Sequence, residues 1–122
     1  NEDLNAKSNV YPFIDLFRDE VQEIESVLQN YYEKGYLRRF IVVSLLPHKT
    51  VIPHKDSALA LIKTRRHHIP IVTNPNVIFK CETETVNMKI GEVWELKNEY
   101  THGVDNKSNF RRVHIIADWD ID

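Results

Sequence analysis

Apolar residues change their spacing once along this chain, near Leu37. Before that point Phe13, Leu16, Phe17, Val21, Ile24, Val27, Leu28 and Tyr31 recur at intervals of mostly three and four residues. That period puts side chains on one stripe of a helix. Pro12 opens the run and Gly35 is placed to stop it, so the pattern predicts a helix over 12–35. A one-sided stripe of this kind covers a sheet and needs no chemistry of its own. Residues 1–10 are polar and read as a loose leader.

After Leu37 the texture turns to short β-rich runs. Phe40 to Leu46, Thr50 to Pro53, His67 to Thr73, Val77 to Cys81, Thr85 to Met88, Val93 to Leu96 and Val113 to Ala117 read as strands. Pro47-His48-Lys49 and Asn74-Pro75-Asn76 read as turns, and Glu82-Thr83-Glu84 links two of the runs. One covering helix followed by many short strands predicts a mainly β domain, a small barrel or double-stranded sandwich. The whole chain, 1–122, is expected to be one domain with its β-core at 37–119. It has no internal repeat and no low-complexity segment.

Composition narrows the picture only in part. The chain is 42% hydrophobic and 28% charged, ordinary for a globular protein. No apolar run approaches the roughly 18 to 20 residues of a membrane span, and no signal-peptide core stands near the start. The single Cys81 excludes an internal disulfide and a cysteine-based zinc cluster, so a reducing, cytoplasmic setting is expected. The net charge of −2 is uneven: residues 1–36 carry eight acidic and three basic side chains, residues 37–122 ten acidic and thirteen basic. The later part suits small anions. It lacks the dense basic clusters of a nucleic-acid surface.

Four pieces of sequence carry candidate chemistry. In His54-Lys55-Asp56 the imidazole and carboxylate share a face of an extended segment and can converge on one metal ion. His102, 48 residues further on, supplies a second imidazole. Two His and one carboxylate make the facial triad of Fe(II) oxygenases, although the same ligand types suit hydrolytic zinc. Arg112 opens the apolar run Val113-His114-Ile115-Ile116-Ala117. A guanidinium there needs a carboxylate partner, either an internal one or that of a ligand. In Arg65-Arg66-His67-His68, Arg66 and His68 share one face, Arg65 and His67 the other. With Arg66 and His68 inward, that strand adds two donors for anions.

Taken together these residues resemble the aspartyl/asparaginyl β-hydroxylase family, which includes some free-proline hydroxylases. The resemblance runs over about 40–119. Its pieces are Pro53-His54-Lys55-Asp56, Arg66-His67-His68-Ile69-Pro70-Ile71, Thr73-Asn74-Pro75 and Met88-Lys89-Ile90-Gly91-Glu92-Val93-Trp94. His102 to Ser108, Arg112-Val113-His114 and Asp118-Trp119 close the set, in matching order and spacing. The resemblance implies a double-stranded β-helix, with Fe(II) on His54, Asp56 and His102. It implies that Arg112 clamps the distal carboxylate of the cosubstrate 2-oxoglutarate, that His68 helps hold it, and that Ser44, matched to the family's serine only with a one-residue gap in the alignment, contacts it. Arg66 would bind a carboxylate, that of the substrate before that of the cosubstrate. The implied reaction couples oxidative decarboxylation of 2-oxoglutarate by dioxygen to hydroxylation of an Asp or Asn side chain in a peptide or protein. A free amino acid of the proline type is the alternative substrate. A cupin-like metal-binding protein without oxygenase turnover is a second class, and a purely structural β-domain a third. The short amino-terminal region departs from larger family members, where further segments build part of the substrate pocket.

Overall fold

The structure, a computed structural model, describes residues 18–56, 64–97 and 99–121. The expected leader and the first residues of the expected helix lie outside these. What is described of the helix, α1, runs Arg18–Tyr32, with Asp19 and Glu20 in its first turn, where carboxylates oppose the helix dipole favourably. It ends as the Gly35 signal predicts. Glu33 already has φ 70° and Gly35 φ 112°, and a Cβ at Gly35 would collide with the Asp120 carbonyl oxygen. Only glycine fits there.

Eight strands follow among the described residues: β1 Tyr36–Leu45, β2 Thr50–His54, β3 Thr64–Val72, β4 Val77–Cys81, β5 Glu84–Val86, β6 Trp94–Leu96, β7 His102–Asn106 and β8 Arg112–Asp120. They form two antiparallel four-stranded sheets, ordered β1-β8-β3-β6 and β2-β7-β4-β5. The chain passes back and forth between the sheets, which is the double-stranded sandwich the run of short strands predicts. β7 is not among the strands expected from the sequence. His-Gly-Val-Asp-Asn has loop composition, and its inward set His102, Val104 and Asn106 contains only one apolar member.

Both faces of the first sheet are covered, and period-two alternation sorts its side chains. On the outer face Ala117 and Trp119, both fully buried, pack with Leu28, Ile24 and Tyr32 of α1. Fully burying side chains of the size of Leu28 is worth roughly 1.5–3 kcal/mol each. The outer His67 donates its Nδ1–H to the Ala117 carbonyl at 3.1 Å and accepts from the Tyr32 hydroxyl at 2.7 Å. The inner face, carrying Arg66, His68, Arg112 and Ile116, looks at the second sheet. There Val77, Phe79, Met88, Leu96 and Val104 make the apolar core. The chemistry-bearing residues therefore stand at one end of the interior, beside this core rather than in it.

The segment between β7 and β8 is held by polar contacts. Asn106 is buried, its amide shared among the carbonyls of Leu45, Leu46 and Phe110 at 2.8–3.2 Å, while its Oδ1 accepts from the Ser108 backbone and hydroxyl. This sets the position from which β8 begins at Arg112. No described helix is long and apolar enough to cross a membrane.

Candidate metal centre

The two imidazoles reach each other through a bulge. Val51 pairs with Val104 and His54 with His102, so β2 spends three residues where β7 spends two. Without that extra residue His54 would face away from the core, because side chains alternate at every step. Gly103 permits the approach. A Cβ there would meet the Val51 carbonyl oxygen at 2.7 Å and the Pro53 nitrogen at 3.0 Å. The His54 and His102 rings stand 4.6 Å apart between centroids.

Backbone carbonyls fix both tautomers. His54 Nδ1 lies 2.9 Å from the Ile52 carbonyl oxygen and His102 Nδ1 3.1 Å from that of Tyr100. A carbonyl only accepts, so each Nδ1 carries the proton and each Nε2 keeps a lone pair for a metal. Asp56 closes the triangle, with Oδ1 3.4 Å from His54 Nε2 and Oδ2 3.5 Å from His102 Nε2. One ligand atom from each residue lies within 4.8 Å of the others. Ligand bonds of about 2.1 Å would hold adjacent donors roughly 3 Å apart on one face of an ion, slightly closer than these spacings. Asp56 Oδ2 is buried and has no hydrogen-bond partner. Arg66 Nη1 lies 3.5 Å away without making a hydrogen bond to it, so this buried carboxylate keeps acceptor capacity that an ion between the three residues would meet. The residues fit a divalent metal.

A cavity of about 250 Å³ opens on this triad, lined by Leu45, Arg66, His68, Phe79 and Arg112 as well as the ligands. The Ser44 side chain, expected here, points to the outer face of the sheet beside Val113. Arg112 is 4% exposed, its Nε has no hydrogen-bond partner, and among the described residues no carboxylate pairs with it. Burial lowers its pKa to about 10. His68 Nδ1 meets His114 Nδ1 at 2.9 Å. One of them must donate, and His114 Nε2 is buried without a partner. An orphaned acceptor is better tolerated than an orphaned N–H. His114 therefore donates, and His68 is left with Nε2–H as its donor. Burial, then His114, Arg112 and Arg66, holds His68 well below its ordinary pKa; burial and Arg112 lower His114 to about 3. Both rings are neutral at physiological pH.

Arg66 has an internal partner that the sequence reading did not foresee. It does face inward beside His68, but its fork is closed on Asp118, Nε to Oδ1 at 2.8 Å and Nη2 to Oδ2 at 2.9 Å. The hydrogen bonds to Asp118 raise its pKa. Its remaining nitrogen, Nη1, stands 3.5 Å from Asp56 Oδ2. The guanidinium expected to await a substrate carboxylate already holds one from its own chain. Sequence reasoning also missed Asp118, His114 and Phe79 as parts of the site. For His114 and Asp118 a signal existed: they lie two and six residues beyond Arg112, on the same face of β8. Phe79, whose ring stacks on His102 with centroids 5.9 Å apart, looks like an ordinary core residue of β4.

A model of the aspartyl/asparaginyl beta-hydroxylase family matches residues 18–120. The chain belongs to that family. No curated protein matches it. Among solved structures, this β-hydroxylase-family chain is similar to a predicted oxalate decarboxylase from Thermotoga maritima, at 17% identity over 79% of this chain and 73% of that one, TM-score 0.54. It is also similar to a Klebsiella pneumoniae protein with a double-stranded β-helix domain, at 11% identity over 70% and 75%, TM-score 0.53. A Thermus thermophilus protein matches at 14% identity over 98% and 96%, TM-score 0.52. These likenesses establish the fold, a double-stranded β-helix.

Proposed function

We propose that this family member is an Fe(II)- and 2-oxoglutarate-dependent hydroxylase of an Asp or Asn side chain in a peptide or protein. The observation that carries the reading is Arg112, a buried guanidinium without a carboxylate partner among the described residues, in the same cavity as the triad. A metal-binding protein without turnover gains nothing from a stranded cation. A cosubstrate that chelates a metal at one end and carries a carboxylate at the other accounts for both.

His54, Asp56 and His102 would hold the iron, which supplies the dioxygen chemistry when bound and leaves three coordination positions open. Arg112 takes the distal carboxylate by its fork. Ser44 is given no part in this, because it is exposed and pairs with Val113 on the outer face of the sheet, whereas its neighbours Val43 and Leu45 pair with His114 and Arg112 on the inner one. His68 presents Nε2–H to the cosubstrate, its ring held by His114. Phe79 shields one face of the His102 ring. No residue is asked to act as general acid or base.

A second, larger cavity of about 590 Å³ favours a polypeptide substrate over a free amino acid. It holds none of the triad, and Phe79 walls both cavities. Met88, Trp94 and Leu96 line it, and its rim reaches Tyr100 and Cys81, the first bonded to His102 through its carbonyl and the second paired with His102 in the sheet. A residue flanking the hydroxylated one would have room there.

The test is succinate release under Fe(II), 2-oxoglutarate and oxygen, with Asp- or Asn-containing peptides against free amino acids. Peptide-stimulated succinate and a substrate mass gain of one oxygen are expected. Anaerobic Fe(II) with 2-oxoglutarate should also give a weak visible charge-transfer band that His102→Ala abolishes. No band in the wild type, or a band unchanged in that variant, would overturn the assignment.

A further inference from the structure

Beside the triad lies a buried charge system that the reaction itself does not call for. Asp118 is 1% exposed and spends both oxygens on Arg66, which is itself mostly buried. A buried ion pair is rarely worth its desolvation as a stabilising device, and apolar residues of similar volume often do as well. Its placement suggests another role. The guanidinium nitrogen not used by Asp118 points at Asp56 Oδ2, the oxygen that lacks a hydrogen bond. β3 and β8 set this up by register, since Arg66 and Asp118 are direct cross-strand partners.

We propose that Arg66 and Asp118 act as one neutral positioning pair for the metal-ligating carboxylate of Asp56. This rests on the triad being the metal site. Arg66 alone would give Asp56 a cationic partner but would also leave a full positive charge beside a divalent cation. Asp118 cancels that charge while fixing the plane of the guanidinium. Asp56 is then steadied by a cationic partner with no net repulsion toward the metal, its Oδ2 edge facing Arg66 while the carboxylate stays open to the ion. Partners of metal ligands of this kind typically change affinity by about 10- to 100-fold when removed.

The experiment measures Co(II) affinity and the Co(II) visible spectrum of the full chain, without cosubstrate or substrate, alongside thermal stability. Asp118→Asn touches neither metal nor cavity chemistry, yet it should weaken Co(II) binding by about tenfold or more and alter the spectrum. Because a half-broken pair can impair folding, the deciding variant is Arg66→Met with Asp118→Leu, which removes both charges together. Stability close to wild type with Co(II) affinity still reduced is the expected result; Arg66→Lys should recover part of the affinity. Wild-type Co(II) affinity and spectrum in the folded double variant would overturn the proposal and make the pair a scaffold element. Loss of the fold in the double variant would equally count against it, since the pair would then be needed for structure. Wild-type protein whose Co(II) binding does not depend on His54 would overturn the metal reading itself, and this inference with it.

Discussion

His54 and His102 stand directly opposite each other across β2 and β7, although His54 is three residues from the last paired position, Val51, and His102 only two from Val104. The bulge that reconciles the two counts turns His54 inward, and the missing side chain of Gly103 gives it space. Gly103→Ala should therefore separate the two imidazoles. A Cβ pressed against the Val51 carbonyl costs about 1–3 kcal/mol, as overpacking does. We expect a lower melting temperature for the apo-protein and a larger proportional loss of metal affinity. Unchanged metal affinity in a folded Gly103→Ala chain would show that β2 has slack at the bulge.

Arg112 sets function against stability. Arg112→Lys keeps the charge but loses the fork, so iron binding should persist while the 2-oxoglutarate requirement rises about 10- to 100-fold, the equivalent of a charge-assisted hydrogen bond of roughly 1.5–3 kcal/mol. Arg112→Met should remove cosubstrate binding and leave the apo-fold as stable as wild type or more so, because an uncompensated buried charge disappears. Titration of the charge-transfer band and urea melts of the same proteins check both halves. Destabilisation of Arg112→Met by several kcal/mol would show an internal partner for Arg112.

The neutral histidines predict an acid limit. His67, His68 and His114 all have folded pKa values depressed by burial, His114 to about 3. Their stabilising effect is fully present above the unfolded value of about 6.5. As pH falls below it the unfolded chain takes up protons that the folded chain refuses, so stability drops by about 1.4 kcal/mol per pH unit for each such ring. For His114 the window extends from about 6.5 down to about 3. Urea midpoints of the apo-protein at pH 7, 6 and 5 should fall increasingly steeply, and His114→Asn should flatten the dependence by about one proton. A pH-independent midpoint over that range would mean these rings accept protons in the folded state.

Much of the site was legible in the residues because each legible part obeyed a local rule. Period-two alternation correctly put Arg66 and His68 on one face of β3, and the stop at Gly35 followed from a backbone only glycine adopts. His54, Asp56 and His102 come together in space as their residue types suggested, but the two-residue spacing within His54-Lys55-Asp56 says nothing of the bulge that aims His54. What stayed hidden depends on pairing between strands. That Asp118 is the cross-strand partner of Arg66 follows from the register of β3 on β8, and nothing in either segment alone fixes that register. The strand nature of β7 was hidden as well, since Val104 is the one apolar residue on its inward side and the Asn106 amide is spent on backbone carbonyls.

β2 is an edge strand, paired only with β7 among the described strands, and Ile52 on it is 73% exposed. Half of the imidazole set thus rides on a margin of its sheet, while His102 sits on an inner strand. A bound ion would work as a latch across that seam, tying the margin of the sheet to its interior. In hydrogen–deuterium exchange, β2 amides that bond to β7 should exchange early in the apo-protein and slow markedly on metal addition, with little change in β8. Metal supply would then govern how long this margin stays closed, so that loss of the ion exposes a bare strand edge before it unfolds the protein.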